Sequence, residues 1–222
     1  TYHMFNIDPA LTAADSLVFE NIDMTGFPDD NSSNTKLRGM FDQDALACTI
    51  GTLRFEGCIL RNFDRHLVRL RGTVAQAINS IEINNCILYN YAFGSNYGVI
   101  NSSSANGTIR KISITNSTIS YIRGAIVSNT NGPAFEGITI SNCTFNQLAM
   151  DASTGRYVID LNGTTGSAPV TISNCLFGSS SSIANGIRLS AVVGTTMTLT
   201  ITGSFYTSDY NDGTTYPIKQ LM

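Results

Sequence analysis

The pattern of hydrophobic and polar positions repeats seven times along this chain. Each repeat alternates apolar and polar residues, reaches an Asn or Gly, and continues with a second apolar stretch, as in Ile81-Glu82-Ile83-Asn84-Asn85-Cys86. Alternation of strand period that returns every 26 to 36 residues is typical of a solenoid built from short strands. The repeated positions are Asn21, Gly57, Asn85, Asn116, Asn142, Asn174 and Gly203.

A weaker apolar triplet recurs in register with this pattern. It begins 15 to 17 residues before each Asn or Gly, as in Val68-Arg69-Leu70, whereas the distance forward to the next triplet varies from 11 to 20. The constant distance indicates one connection used in every repeat, and the variable distance marks loops. We therefore predict an all-β, right-handed parallel β-helix of about seven coils. The first, second and third strands of the coils form three parallel sheets. An antiparallel sandwich would need turns roughly every 8 to 12 residues and no fixed long period.

The same alternation places four cysteines in one inward column, where a small buried side chain suits the position. They are Cys58, Cys86, Cys143 and Cys175. Because directly stacked side chains favour the wrong disulfide torsion, we predict free thiols, and Cys48 has no predicted partner. The cysteine and histidine spacing does not match a zinc site.

Composition narrows the classes of partner. Charged residues are 13% of the chain, the net charge is −3 and no basic stripe occurs, which disfavours nucleic acid. No apolar run is long enough to predict a membrane span. We expect one domain over residues 1–222, extracellular or on a bacterial surface. Because the triplet Phe5-Asn6-Ile7 has no first or second strand before it, we expect the domain to be a piece of a longer protein.

Acidic and basic residues cluster on the outward face of the third strands. The column contains Asn6, Asp42, Arg69, Asn101, Ser128, Asp160 and Arg188, and two residues further along lie Asp8, Asp44 and Arg71. Register predicts that Asp8, Asp42 and Asp44 lie on neighbouring coils beside Arg69 and Arg71. Clustered carboxylates bind a cation such as calcium, raise one another's pKa, or form a solvated ion-pair ladder. The three interpretations remain open at this point.

Aromatic and basic residues collect in the variable loops. They are Arg65, His66, Tyr89, Tyr91, Phe93, Tyr97, Tyr121, Arg123, Arg156 and Tyr157. Aromatic faces stack on sugar rings, and guanidinium groups bind carboxylate or sulfate. The predicted substrate-binding residues are Arg65, His66, Tyr91, Tyr97, Asn101, Tyr121, Arg123, Asp160 and Arg188. The alternative is that Tyr91 and Tyr121 pack beneath their loops.

These features resemble known β-helical proteins. The Asn corners and the variable loops before the third strand resemble the right-handed β-helix of pectate lyases and polygalacturonases, although the Asn-Thr-Asp and Gly-His-Gly motifs of the latter are absent. The segment from Phe205 to Ile218 resembles an uncharacterised β-helical domain family near the C-terminus of surface lipoproteins of glycan-degrading bacteria. That resemblance implies a cell-surface location and a glycan ligand, with a groove along the third strands and their loops.

We therefore predict an extracellular glycan-recognition domain of a bacterial polysaccharide-utilisation protein. The first alternative is a calcium-dependent lyase, in which calcium neutralises a uronate carboxylate while Arg69 or Arg71 takes the proton. The second is a structural stalk. A glycosidase is disfavoured, because Asp42 and Asp160 lie four coils apart, roughly 19 Å, which exceeds the carboxylate separations of such enzymes. No other cofactor is expected.

Overall fold

The computed structural model describes residues 2–5, 13–26, 37–43, 47–70, 75–91, 98–102, 107–129, 135–148, 157–161, 169–178, 185–188 and 198–206. Side chains are described for these residues except 2–5, 37, 38, 42, 43, 185–188, 205 and 206. Strands are numbered β1 to β21 in chain order, and they form three sheets of seven strands within the described part.

Each sheet takes every third strand of the chain. The first sheet contains β2 (Ala13–Glu20), β5 (Cys48–Glu56), β8 (Gln76–Asn84), β11 (Gly107–Thr115), β14 (Gly137–Ser141), β17 (Pro169–Ser173) and β20 (Thr198–Thr202). The second contains β3 (Asp23–Thr25), β6 (Ile59–Phe63), β9 (Ile87–Tyr91), β12 (Thr118–Ile122), β15 (Thr144–Asn146), β18 (Leu176–Phe177) and β21 (Phe205–Tyr206). The third contains β1 (Tyr2–Phe5), β4 (Leu37–Gln43), β7 (His66–Leu70), β10 (Ile100–Ser102), β13 (Val127–Asn129), β16 (Tyr157–Asp160) and β19 (Asn185–Arg188).

All pairings between successive coils are parallel, and they stack equivalent residues directly. Ile83 pairs with Phe55 below and Ile114 above, and all three are buried. Because one face of the first and second strands points into the solenoid, these columns bury apolar area in the middle coils, whereas Phe19 and Ile201 at the two ends are only partly buried. The all-β class and the three parallel sheets of a β-solenoid are thereby confirmed.

The corner between the first and second strands has a left-handed backbone in every coil. The seven predicted Asn and Gly residues have φ between 51° and 63°. Asn and Gly are the residues that accept this conformation at low cost. The N–H groups of the first six corners still join the ladder, as when Asn85 donates to the carbonyl of Thr115 at 3.2 Å.

The cysteine column lies just after this corner and connects neighbouring coils. The backbone N–H of Cys58 lies 3.4 Å from Cys86 Sγ, and the N–H of Cys86 donates to Ser117 Oγ at 3.0 Å. All five cysteines are buried and free. A small polarisable or hydroxyl side chain therefore supplies an acceptor to a buried donor, which explains why the column contains both Cys and Ser.

A second left-handed corner ends the second strands, and the sequence pattern did not reveal it. Its members are Asn62, Asn90, Tyr121 and Gln147, with φ between 52° and 60°. Asn90 Nδ2 donates to Asn62 Oδ1 at 2.9 Å, so the amides form a short ladder. The residue after this corner points into the core, as Phe63, Tyr91 and Ile122 do.

The third sheet is more buried than strand alternation predicts. Val68, Ile100 and Val127 are buried, and so are their chain neighbours Leu67, Val99 and Ile126, which form the adjacent column. Two successive apolar residues are thus removed from solvent in each of these coils.

No helix long and apolar enough to cross a membrane occurs in the described residues.

Candidate functional site

The outward column of the third sheet has the predicted register but not the predicted accessibility. Asp42 pairs with Arg69, Arg69 with Asn101, and Asp160 with Arg188. Asn101 is only 2% exposed, so the prediction that it contacts a ligand is wrong. The chain passes close over this face, since a side chain added at Gly98 would approach the Cβ of Ser128 to 2.9 Å.

Tyr91 and His66 are core residues, and both are fully buried. The ring of Tyr91 stacks on Phe63 with centroids 5.1 Å apart, and burial raises the pKa of its hydroxyl well above the usual value. The left-handed residue before Tyr91 turns its ring inward. The imidazole of His66 lies against Gly39 of the neighbouring coil. The predictions that Tyr91 and His66 bind substrate are therefore wrong.

The remaining candidates fall into two groups. Arg65, Arg69, Arg123 and Asp160 are partly exposed, and Arg65 Nε lies 3.5 Å from Asp64 Oδ2. The predicted residues Asp8, Asp44, Arg71 and Tyr97 lie outside the described residues, and Asp42 and Arg188 are described by their backbone alone. The proposed cation site and the arginine base thus stay predictions. Among the described side chains, no group of three or more acids, cysteines or histidines could hold a metal ion.

An accessible aromatic surface occurs on the outer face of the second sheet. Tyr89 in β9 is 43% exposed, and its ring stacks on that of Tyr121 in β12, with centroids 5.8 Å apart and planes at 27°. Tyr121 is partly exposed, and its backbone has a φ of 55°. A bulky residue rarely adopts this conformation. Tyr89 belongs to the strand rather than to the loop, and the alternation Ile87-Leu88-Tyr89 is the signal that turns it outward.

Apolar and charged groups flank the two rings. Ile59 and Ile87 are paired in register and are exposed on the same face as Tyr89. Arg61 pairs with Tyr89 across neighbouring coils, and its Nη1 lies 2.7 Å from Asp23 Oδ1. The face therefore combines flat rings, aliphatic side chains and a guanidinium held in position by an ion pair.

A groove runs beside this face, along the corner between the first and second sheets. It has a volume of about 410 Å³. Its lining includes Asn21, Gly57, Asn85, Asn116, Ile59 and Ile87. Gly57 interrupts the Asn column at this point, so that no side chain stands between those of Asn21 and Asn85.

Acidic groups border the groove on the side of the first sheet. Glu20 and Glu56 are paired in register and directly precede the corner residues Asn21 and Gly57. The Glu56 carboxylate accepts bonds from Asn84 Nδ2 at 2.9 and 3.0 Å. Arg54 Nε lies 3.8 Å from Glu56 Oε2 and 3.2 Å from Glu82 Oε2, so the three acids near this border outnumber one arginine. The groove lining itself carries no charged side chain.

Comparisons with known proteins give one match. The model of a protein family described as a domain of unknown function (DUF4957) matches residues 3–123, more than half of the chain. The matched range includes Gly57, Tyr89 and Tyr121. No curated protein and no solved structure matches the chain.

Proposed function

The chain belongs to the DUF4957 family, and we propose that it is a glycan-recognition domain that binds sugar on the outer face of its second sheet. The observation that carries the proposal is the stacked, solvent-accessible pair of Tyr89 and Tyr121. Carbohydrate rings have apolar C–H faces that pack on aromatic rings, and their hydroxyl groups bond to amides and guanidinium groups.

The backbone strain at Tyr121 supports this function. Asn62 and Asn90 occupy the equivalent corner position in the preceding coils, and Asn adopts a left-handed backbone more readily than Tyr. Strained positions cluster at ligand sites, where the cost is offset by the function of the side chain. Tyr121 holds its ring beside Tyr89, so the two rings present one rigid surface before a ligand arrives.

The cellular setting belongs to the same proposal. The chain has few charged residues and a net charge of −3, which fits binding to a polysaccharide better than binding to nucleic acid. Together with the resemblance to surface proteins of glycan-degrading bacteria, this supports an extracellular domain that binds polysaccharide as part of a polysaccharide-utilisation protein.

One observation favours each alternative function. Arg69 lies next to Asp42 in register, as the lyase hypothesis requires, although the other residues of that site are outside the described range. The burial of Tyr91 is what a structural stalk would show. Neither alternative accounts for a strained Tyr121 stacked on an exposed Tyr89.

The test is a glycan array probed with the wild-type domain and with Tyr89→Ala. We expect binding to a limited set of glycans, and a loss of that binding in the variant. Leu176→Ala is the matched control, because Leu176 is an exposed apolar residue on the same sheet, three coils from Ile87. Absence of glycan binding, or equal binding by Tyr89→Ala, would contradict the proposal. If an absorbance assay detects unsaturated uronide product, that result would instead support the lyase.

A further inference from the structure

The groove at Gly57 lies on the same face as the Tyr89–Tyr121 pair, at the opposite edge of the second sheet. In the coil that contains β8 and β9, Asn85 and Ile87 line the groove, and Tyr89 comes two residues after Ile87 with its side chain on the same outer face. The separation between Ile87 and Tyr89 corresponds to roughly 7 Å of extended strand. A ligand longer than one sugar ring, lying along β9, would cover both features.

Gly57 creates the opening in this groove. Elsewhere in the column, Asn side chains bond to neighbouring coils: Asn142 Nδ2 donates to Asn116 Oδ1 at 3.3 Å, and Asn116 Nδ2 donates to Asn84 Oδ1 at 2.8 Å. Gly57 has no side chain to continue this series. Asn21 Oδ1 reaches to 2.6 Å from the position that a Cβ of residue 57 would take, and the open groove continues past it between Asn85, Ile59 and Ile87.

We propose that this groove is a second subsite that receives an uncharged saccharide unit of the glycan held by Tyr89 and Tyr121. The inference rests on the proposed function and adds the site and the ligand class. Amide groups donate and accept hydrogen bonds, which matches the hydroxyl groups of a sugar, and the isoleucines pack on its apolar face.

The charges around the groove select against an acidic sugar. Glu20 and Glu56 lie immediately beside it on the first sheet, and the lining itself has no cation to pair with a carboxylate. A uronate or sulfate group placed here would meet a net negative charge, because Arg54, the arginine beside these acids, is already paired with Glu56 and Glu82. A neutral unit avoids that cost, so the groove favours uncharged polysaccharides.

The experiment fills the groove with the residue that the fold uses elsewhere. Gly57→Asn keeps a residue that accepts the left-handed backbone, and its Cβ would meet only the flexible amide of Asn21. Gly203→Asn is the matched control, because Gly203 has a φ of 57° and the same neighbour type in Asn174, but lies outside the groove. Binding of xylotetraose, mannotetraose, cellotetraose and tetragalacturonate is measured by calorimetry, with thermal unfolding to verify the fold.

We expect the best neutral tetrasaccharide to bind about tenfold more weakly to Gly57→Asn, because an added side chain excludes the sugar from its space. Gly203→Asn should bind like the wild type. If Tyr89→Ala weakens binding but Gly57→Asn does not, the subsite is refuted and the proposed function stands. Tighter binding of tetragalacturonate than of every neutral probe also refutes the neutral subsite. If Tyr89→Ala binds normally, both proposals fail. If no tetrasaccharide binds, the uncharged subsite is refuted and the glycan array alone decides the proposed function.

Discussion

The ring of Tyr121 stacks on the ring of Tyr89 from the neighbouring coil, although Tyr121 occupies a left-handed backbone position that Asn takes in the two coils before it. The two side chains reach each other from different positions, since Tyr89 lies within a strand and Tyr121 at the corner that ends one. The stack therefore depends on the corner conformation as well as on the register of the second sheet.

Replacing Tyr121 by Asn should separate binding from stability. Asn suits the left-handed backbone, so we expect thermal stability equal to or above that of the wild type. Loss of one stacked ring should weaken glycan binding by about 1 kcal/mol, or roughly fivefold. Calorimetry and thermal unfolding measure the two quantities. Unchanged affinity would show that Tyr121 is not part of the binding surface.

The left-handed corner between the first and second strands leads to a prediction about stability. Asn142 has a φ of 53°, and its amide bonds to Asn116. Asn142→Ala should lower the free energy of unfolding by about 1–2 kcal/mol, because an ordinary side chain is strained in this conformation. Asn142→Gly also loses the amide bond to Asn116, but it has no strained side chain, so it should lower the free energy of unfolding by less. Urea denaturation compares them, and an equal cost for both variants would count against the strain argument.

The stacked core should be sensitive to a loss of volume. Phe55 is fully buried and stacks on Phe19 with centroids 5.2 Å apart. Phe55→Ala should cost about 3–5 kcal/mol, the usual range when a buried aromatic ring is deleted. Val18→Ala serves as the control, because Val18 is exposed on the adjacent strand and should change stability by less than about 0.5 kcal/mol. Similar costs for the two variants would be inconsistent with a closely packed column.

Stability at high pH should depend on the cysteine column. Burial raises the pKa of the Cys86 thiol from 9.0 to about 11. The folded state thus holds the proton more tightly than the unfolded state. Its contribution to stability is complete below about pH 9 and is lost as the pH rises through the folded value near 11.

Cys86→Ser is the corresponding variant, because Ser117 fills the same position in the next coil and its hydroxyl does not titrate in this range. We expect its free energy of unfolding to fall less steeply between about pH 9 and pH 11 than that of the wild type. Urea denaturation across this range measures both slopes. Parallel slopes would show that the Cys86 thiol is not protected in the fold.

The sequence was sufficient to predict the first corner and the core columns, because their residue types recur at the same phase in every coil. The second corner was not predictable in this way. Asn62, Asn90, Tyr121 and Gln147 share a backbone conformation, but only the first two share a residue type. If that corner is ignored, simple alternation continues and assigns Tyr91 to the surface rather than to the core. The burial of Asn101 was likewise not predicted, because the close approach of the chain at Gly98 to Ser128, which pairs with Asn101, is a contact between coils that no local pattern encodes.

The most direct test of the central claim is an NMR titration of protein labelled in the tyrosine rings with the best oligosaccharide from the array. The chain has nine tyrosines and no tryptophan, so the ring signals can be assigned with single Tyr→Phe variants. We predict that the signals of Tyr89 and Tyr121 shift as the sugar saturates the protein, while that of buried Tyr91 changes little. Saturable binding that leaves the Tyr89 and Tyr121 signals in place would contradict the account.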